Sequence, residues 1–131
     1  MNFETEQIIR NTLADSEAER VHFGEVVARL SAAGVESYSV DYRNNRFTYF
    51  LGDDESLTLE TQASDVAIGN AFSAAEIQAA IRQAQQGVVK YPEFKKLSKQ
   101  AGCIGYTVWI AGRHVTYFGR KGEQHIEHFP I

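Results

Sequence analysis

Ala33-Gly34-Val35-Glu36-Ser37-Tyr38-Ser39-Val40 is answered 68 residues later by Ala101-Gly102-Cys103-Ile104-Gly105-Tyr106-Thr107-Val108. The correspondence extends in both directions at the same offset and without a gap. Upstream, Val21, Phe23, Glu25 and Val26 match Val89, Tyr91, Glu93 and Phe94. Downstream, Thr48, Tyr49, Phe50 and Glu55 match Thr116, Tyr117, Phe118 and Glu123. A constant offset held over such a span implies two copies of one supersecondary unit. The copies are expected over about residues 4–61 and 72–129, sharing one core in a single domain.

Working outward, each copy reads as helix, helix, strand, strand, strand. Ile8, Ile9 and Leu13 recur at helical spacing over 4–14. Val26, Val27, Leu30 and Ala33 do the same over 24–33, and Gly34 is a natural stop. Strands are expected at 35–42, 46–51 and 56–61, with turns at Arg43-Asn44-Asn45 and Gly52-Asp53-Asp54. In the second copy, Phe72, Ser73, Glu76 and Ile77 have the spacing of a capping box with its hydrophobic staple. Pro92 suits the first turn of the next helix. The apolar stripe of that helix buries Phe94, Leu97 and Ala101 and puts Lys95, Lys96 and Lys99 outside. Strands follow at 104–110, 113–119 and 124–129. The expected fold class is α+β, helices packed on antiparallel sheet.

Length and composition bound the rest. A chain of 131 residues suits one domain. Cys103 is the only cysteine, which excludes an internal disulfide and suits a reducing compartment. Neither a basic-then-apolar leader nor an apolar run long enough to span a membrane is present, so the expectation is a cytoplasmic protein without membrane association. The net charge of −4 is uneven: residues 1–66 carry −8 and residues 67–131 carry +4. Two molecules could dock acidic half to basic half, whereas the acidic half argues against nucleic acid.

Several motifs together resemble a family of uncharacterised bacterial and phage-borne proteins, a domain of unknown function often labelled "phage envelope protein". They are Ala33 to Tyr38 with Val40-Asp41, Thr48-Tyr49-Phe50, Ala79 to Arg82 with Gln85-Gln86-Gly87, Tyr91 to Phe94, Ala101-Gly102-Cys103, Tyr117 to Arg120, and Gly122 through His125 with Glu127, Phe129 and Pro130. The resemblance runs through most of the chain and implies no established activity.

The candidate binding residues are His125, Glu127, Arg120 and Asp41. On a strand over 124–129, His125 and Glu127 point to one face. Arg120, in the preceding glycine-containing turn, is expected to pair with Glu127. Asp41 lies in the matching sheet of the first copy. Such a set suits an anionic ligand or general acid–base work, or else a polar network that fixes the last strand. His125 and Glu127 stand where the first copy has Leu57 and Leu59. His114, His125 and His128 have poor spacing for a metal. Cys103 replaces Val35 and reads as core, and Tyr38, Tyr49, Phe50, Tyr106, Tyr117 and Phe118 read as sheet packing.

No catalytic signature, cofactor motif or metal set is present. The expected function is therefore non-enzymatic binding or regulation through protein–protein contact, with a homodimer as one form of it. The alternative is a small-molecule-binding protein or enzyme using the His/Glu/Arg cluster near the C-terminal strand.

Overall fold

Two helices, α1 (Phe3–Glu17) and α2 (Phe23–Ala32), precede three strands, β1 (Val35–Asp41), β2 (Arg46–Leu51) and β3 (Ser56–Glu60). The same order then recurs as α3 (Ala74–Gln85), α4 (Tyr91–Gln100), β4 (Cys103–Trp109), β5 (His114–Gly119) and β6 (Gln124–His128). The structure is a computed structural model and describes residues 1–130. From α4 onward, every element begins and ends 68 residues after its counterpart; α3 shares only its end with α1 in that way. Among the described residues, no helix is long and apolar enough to cross a membrane.

The six strands form one antiparallel sheet in the order β3-β2-β1-β4-β5-β6. With four helices, this gives the expected α+β class. β1 and β4 meet at the centre, with Ser37 opposite Trp109, Ser39 opposite Thr107 and Asp41 opposite Gly105. Ser39 and Thr107 are themselves 68 residues apart, and their hydroxyls hydrogen-bond at 3.0 Å. Details recur at the same offset. The register irregularity between Val35 and Ser37 returns between Cys103 and Gly105. Positive φ at Glu19, Gly34, Asn45 and Asp54 returns at Gly87, Gly102, Arg113 and Gly122.

Alternation along each strand separates two faces. Tyr38, Val40, Phe47, Tyr49 and Leu59 from the first half join Tyr106, Val108, Val115 and Tyr117 from the second on the buried face. The helices bring Ile9, Leu13, Leu30, Ile77, Ile81 and Phe94 into the same core. The other face carries Ser39, Thr48, Thr58, Thr107 and Thr116 in one row across five strands. Phe50, Trp109 and Ile126 are the large apolar side chains exposed on it.

Local chemistry sets the helix ends. Ser73 accepts from the Glu76 backbone N–H at 3.1 Å, as its spacing predicts. A full reciprocal capping box forms instead at α2, between His22 and Glu25. Histidine is an uncommon cap, which is why the sequence places this start one residue late. α4 has Pro92 in its first turn and no side-chain cap.

One helix face differs from expectation. Lys96 is exposed, but Lys95 and Lys99 are buried. The connection between the halves runs along α4 and covers them. Lys95 Nζ donates to the Gln62 carbonyl at 3.0 Å and sits 5.9 Å from the Tyr42 ring centroid. The Gly69 N–H donates to the Lys99 carbonyl at 2.8 Å. A stripe reports where the apolar core is, not where a polar connection will lie. Burial, and then the nearby Lys99, lower the Lys95 pKa from its ordinary value.

The same connection makes two equivalent glycines unequal. Gly34 and Gly102 both have left-handed φ, +92° and +88°. A Cβ on Gly34 would meet nothing within 4 Å, whereas one on Gly102 would lie 2.2 Å from the Ala71 carbonyl oxygen. Gly34→Ala should cost about 1 kcal/mol, the conformational penalty alone. Gly102→Ala should cost about 2–4 kcal/mol, because backbone must also move. Urea melts of the two variants check the difference; equal losses would contradict the packing of residues 69–73 on the α4–β4 turn.

Candidate functional site

Helices and sheet do not close evenly over one another. α1 packs against α4. On the opposite side a cavity of about 630 Å³ lies beneath the start of α2 and the end of α3. The exposed lining residues His22 to Gly24 and Gln85 to Gly87 mark its mouth. α1 contributes Thr12, Leu13 and Ser16, and α4 contributes Tyr91 and Phe94. Phe129 lies at the rim, edge-on to Phe23 at 5.7 Å, with the Arg113 guanidinium 5.6 Å from its centroid.

Five tyrosines line this space: Tyr38, Tyr49, Tyr91, Tyr106 and Tyr117. Four of them stand at inward positions of β1, β2, β4 and β5, where alternation places core residues. Tyr106 donates its hydroxyl to that of Tyr91 at 3.1 Å. Tyr38, Tyr49 and Tyr117 are at most 6 % exposed, but none of the three is sealed from the space around it; among the described residues their hydroxyls have no hydrogen-bond partner in the protein. Buried hydroxyls ordinarily find one. Tyr42, just outside the lining, does so through Ser98 at 2.8 Å. Burial raises the hydroxyl pKa of all six tyrosines above its ordinary value.

The four residues singled out from sequence fall in two places. His125 and Glu127 share the inward face of β6, opposite Tyr117 and Val115. Glu127 lines the cavity. Its Oε2 accepts from Arg82 Nη1 at 3.2 Å, and its Oε1 lies 3.7 Å from His125 Nε2, too far for a hydrogen bond. That His125 nitrogen is buried without a partner among the described residues. The expected Arg120–Glu127 pair does not form; Arg82 of α3 takes the role. The register explains this. Glu127 is opposite Val115, early in β5, whereas Arg120 follows the far end of that strand, where Phe118 is opposite Gln124. Val115 and Arg120 are five residues apart, on the order of 15 Å along an extended chain.

Arg120 and Asp41 line a separate depression of about 550 Å³ on the other face of the sheet. Burial works to raise the Asp41 carboxyl, but the Arg43 side chain and backbone outweigh it and hold the pKa below its ordinary value. The Asp41–Arg43 contact is 2.9 Å and well exposed. His114 and His128 stand opposite each other on that same face, with ring centroids 5.8 Å apart, while His125 points to the cavity side. Among the described residues no cluster of histidine, cysteine or carboxylate side chains is arranged for a metal ion. Cys103 is fully buried, donates to the Gly105 carbonyl at 3.2 Å, and its thiol is pushed up to about 11 by burial, as a core residue should be.

Sequence reasoning singled out Glu127, which lines the cavity, but foresaw neither the cavity nor the contact with Arg82. The available signal was the repeated use of tyrosine at inward strand positions where phenylalanine would pack equally well.

A family model for proteins of unknown function, DUF1398, matches residues 11–127. The chain belongs to the DUF1398 family. The match takes in the second half of α1, the other three helices and nearly all of the sheet, and stops short of Phe129 and Pro130 at the cavity rim. No curated protein matches the chain.

The hydroxyls make two testable statements. Tyr42→Phe should cost about 1–2 kcal/mol, since it leaves the Ser98 hydroxyl with one partner fewer in a buried place. Tyr49→Phe should change stability by about 0.5 kcal/mol or less, since no protein partner is lost. Denaturant melts of both separate the cases. Alkaline pH gives the second statement. A raised folded-state pKa means the stabilisation is complete below the unfolded value of about 10 and is lost as pH rises above it. Each tyrosine that ionises only on unfolding contributes about 1.4 kcal/mol per pH unit. Lys95, with its lowered pKa, works the other way below its own ordinary value, as one group against six. Stability should therefore fall steeply above pH ~10, with tyrosinate absorbance appearing only together with unfolding. Gradual ionisation of the folded protein would contradict the burial of these rings.

Proposed function

We propose that the chain is a non-enzymatic binding protein whose ligand is a small molecule held between the helices and the inner face of the sheet. The observation that carries this reading is the cavity itself, walled by five tyrosines of which Tyr38, Tyr49 and Tyr117 make no hydrogen bond within the protein among the described residues. A space of about 630 Å³ with mostly apolar walls and a few placed polar groups has the character of a ligand site. The supporting body is a single domain, which we read as two copies over about residues 4–61 and 72–129; the recurring element bounds support this.

N-Phenyl-1-naphthylamine, an uncharged dye that fluoresces in apolar surroundings, tests the site. It should bind saturably, one per chain. Ala84→Trp, which adds bulk to the cavity wall, should weaken binding at least about tenfold while leaving the melting transition in place. Trp109→Ala on the open face should leave binding unchanged. Absence of saturable binding, or loss in Trp109→Ala alone, would refute the proposal.

A second reading is protein contact, including pairing of two copies, through the open face of the sheet. It is favoured by the exposure of Phe50, Trp109 and Ile126 there. Sedimentation equilibrium of the chain and of Trp109→Ala distinguishes it, since only this reading predicts an association that the substitution weakens.

A further inference from the structure

We infer that the ligand is a cationic amphiphile: an apolar or aromatic body carrying a protonated amine or guanidinium that docks on the carboxylate of Glu127. This rests on the reading of the cavity as a small-molecule site. Glu127 occupies the inward position that Leu59 holds in the first half; Leu59 is buried opposite Phe47, as Glu127 is opposite Val115. A carboxylate placed where core belongs costs stability unless a cation meets it. Arg82 meets it only from outside. That arginine is 54 % exposed and bonds Oε2 alone, whereas the Glu127 side chain is only 17 % exposed. Oε1 has no donor within hydrogen-bond range among the described residues; the His125 Nε2 atom lies 3.7 Å from it. Among the described residues Glu127 is the only carboxylate on the wall of the cavity, which the exposed Lys90 also lines. The rest of that wall is rich in tyrosine, and aromatic faces attract ammonium and guanidinium groups. An anionic head group would instead meet a second negative charge.

Dodecylamine, dodecanol and dodecanoate share one chain and differ in head charge. Isothermal titration at concentrations below micelle formation should rank the amine about tenfold tighter than the alcohol, the increment of one charge-assisted hydrogen bond. The carboxylate should bind weakest. Glu127→Gln, close to isosteric, should bring the amine to the affinity of the alcohol and leave the alcohol unchanged. Arg82→Ala, a surface change, should tighten the amine by removing its competitor. Equal affinities, preference for dodecanoate, or an amine preference that survives Glu127→Gln would overturn this inference and leave the small-molecule reading standing. So would failure of all three while the naphthylamine dye still binds. Failure of the dye as well would remove the underlying reading.

Discussion

The antiparallel pairing of β1 with β4 is the contact on which the rest of the molecule depends. It joins two three-stranded sheets, each belonging to a half-chain of a size that is marginal alone, into six strands with a continuous inner face. Its register is centred on Ser39 and Thr107, so each half presents the same residues to the seam. Because strand side chains alternate, a slip of one residue would turn Tyr38, Val40, Tyr106 and Val108 outward and bring the hydroxyl row into the core. Burial of four such side chains outweighs anything the Ser39–Thr107 hydrogen bond contributes, at roughly 1 kcal/mol. The hydroxyl pair marks the register; the apolar face enforces it.

That seam is symmetric, and the helices above it are not. α1 rests on α4, and the connection between the halves lies along α4 as well, held by the backbone bond from Gly69 to Lys99 and by Lys95 on Gln62. On the other side, α2 and α3 leave space, and the sheet beneath them is walled by tyrosine. All four helices contribute to the wall of the cavity, so the space belongs to the whole helix layer rather than to one half of the chain.

Most of this fold was legible in the sequence, because its signals are local or periodic. The 68-residue offset, the strand alternation around Tyr38 and Tyr106, Gly34 and Gly102 as helix stops, and Ser73 as a cap all correspond to observed elements. What was not legible depends on contacts across the chain. Lys95 looks exposed on its helix because the stripe cannot show a connection arriving from 33 residues away. Arg120 looks like the partner of Glu127 because both belong to one hairpin; only the register shows them at opposite ends of it. Arg82, which does reach Glu127 from 45 residues away, carries no mark in the sequence. Of the four candidate residues, His125 and Glu127 do share a face, whereas Asp41 and Arg120 belong to the other side of the sheet.

The pair of leucines in β3 gives the clearest argument that the β6 cluster has a use. Leu57 and Leu59 show what this strand position needs for packing alone. At the corresponding places in β6 stand a histidine with an unpartnered buried nitrogen and a half-buried carboxylate whose one recorded hydrogen bond is to Arg82. A polar network that served only to fix β6 should satisfy its own members, since a half-satisfied network costs more than the leucines it replaces. Here the one well-made contact, Arg82 to Glu127, is half-exposed and worth little by itself. A buried nitrogen left without a partner beside a cavity is accounted for if the missing partner arrives with a ligand, which the tyrosine-lined wall leaves room for.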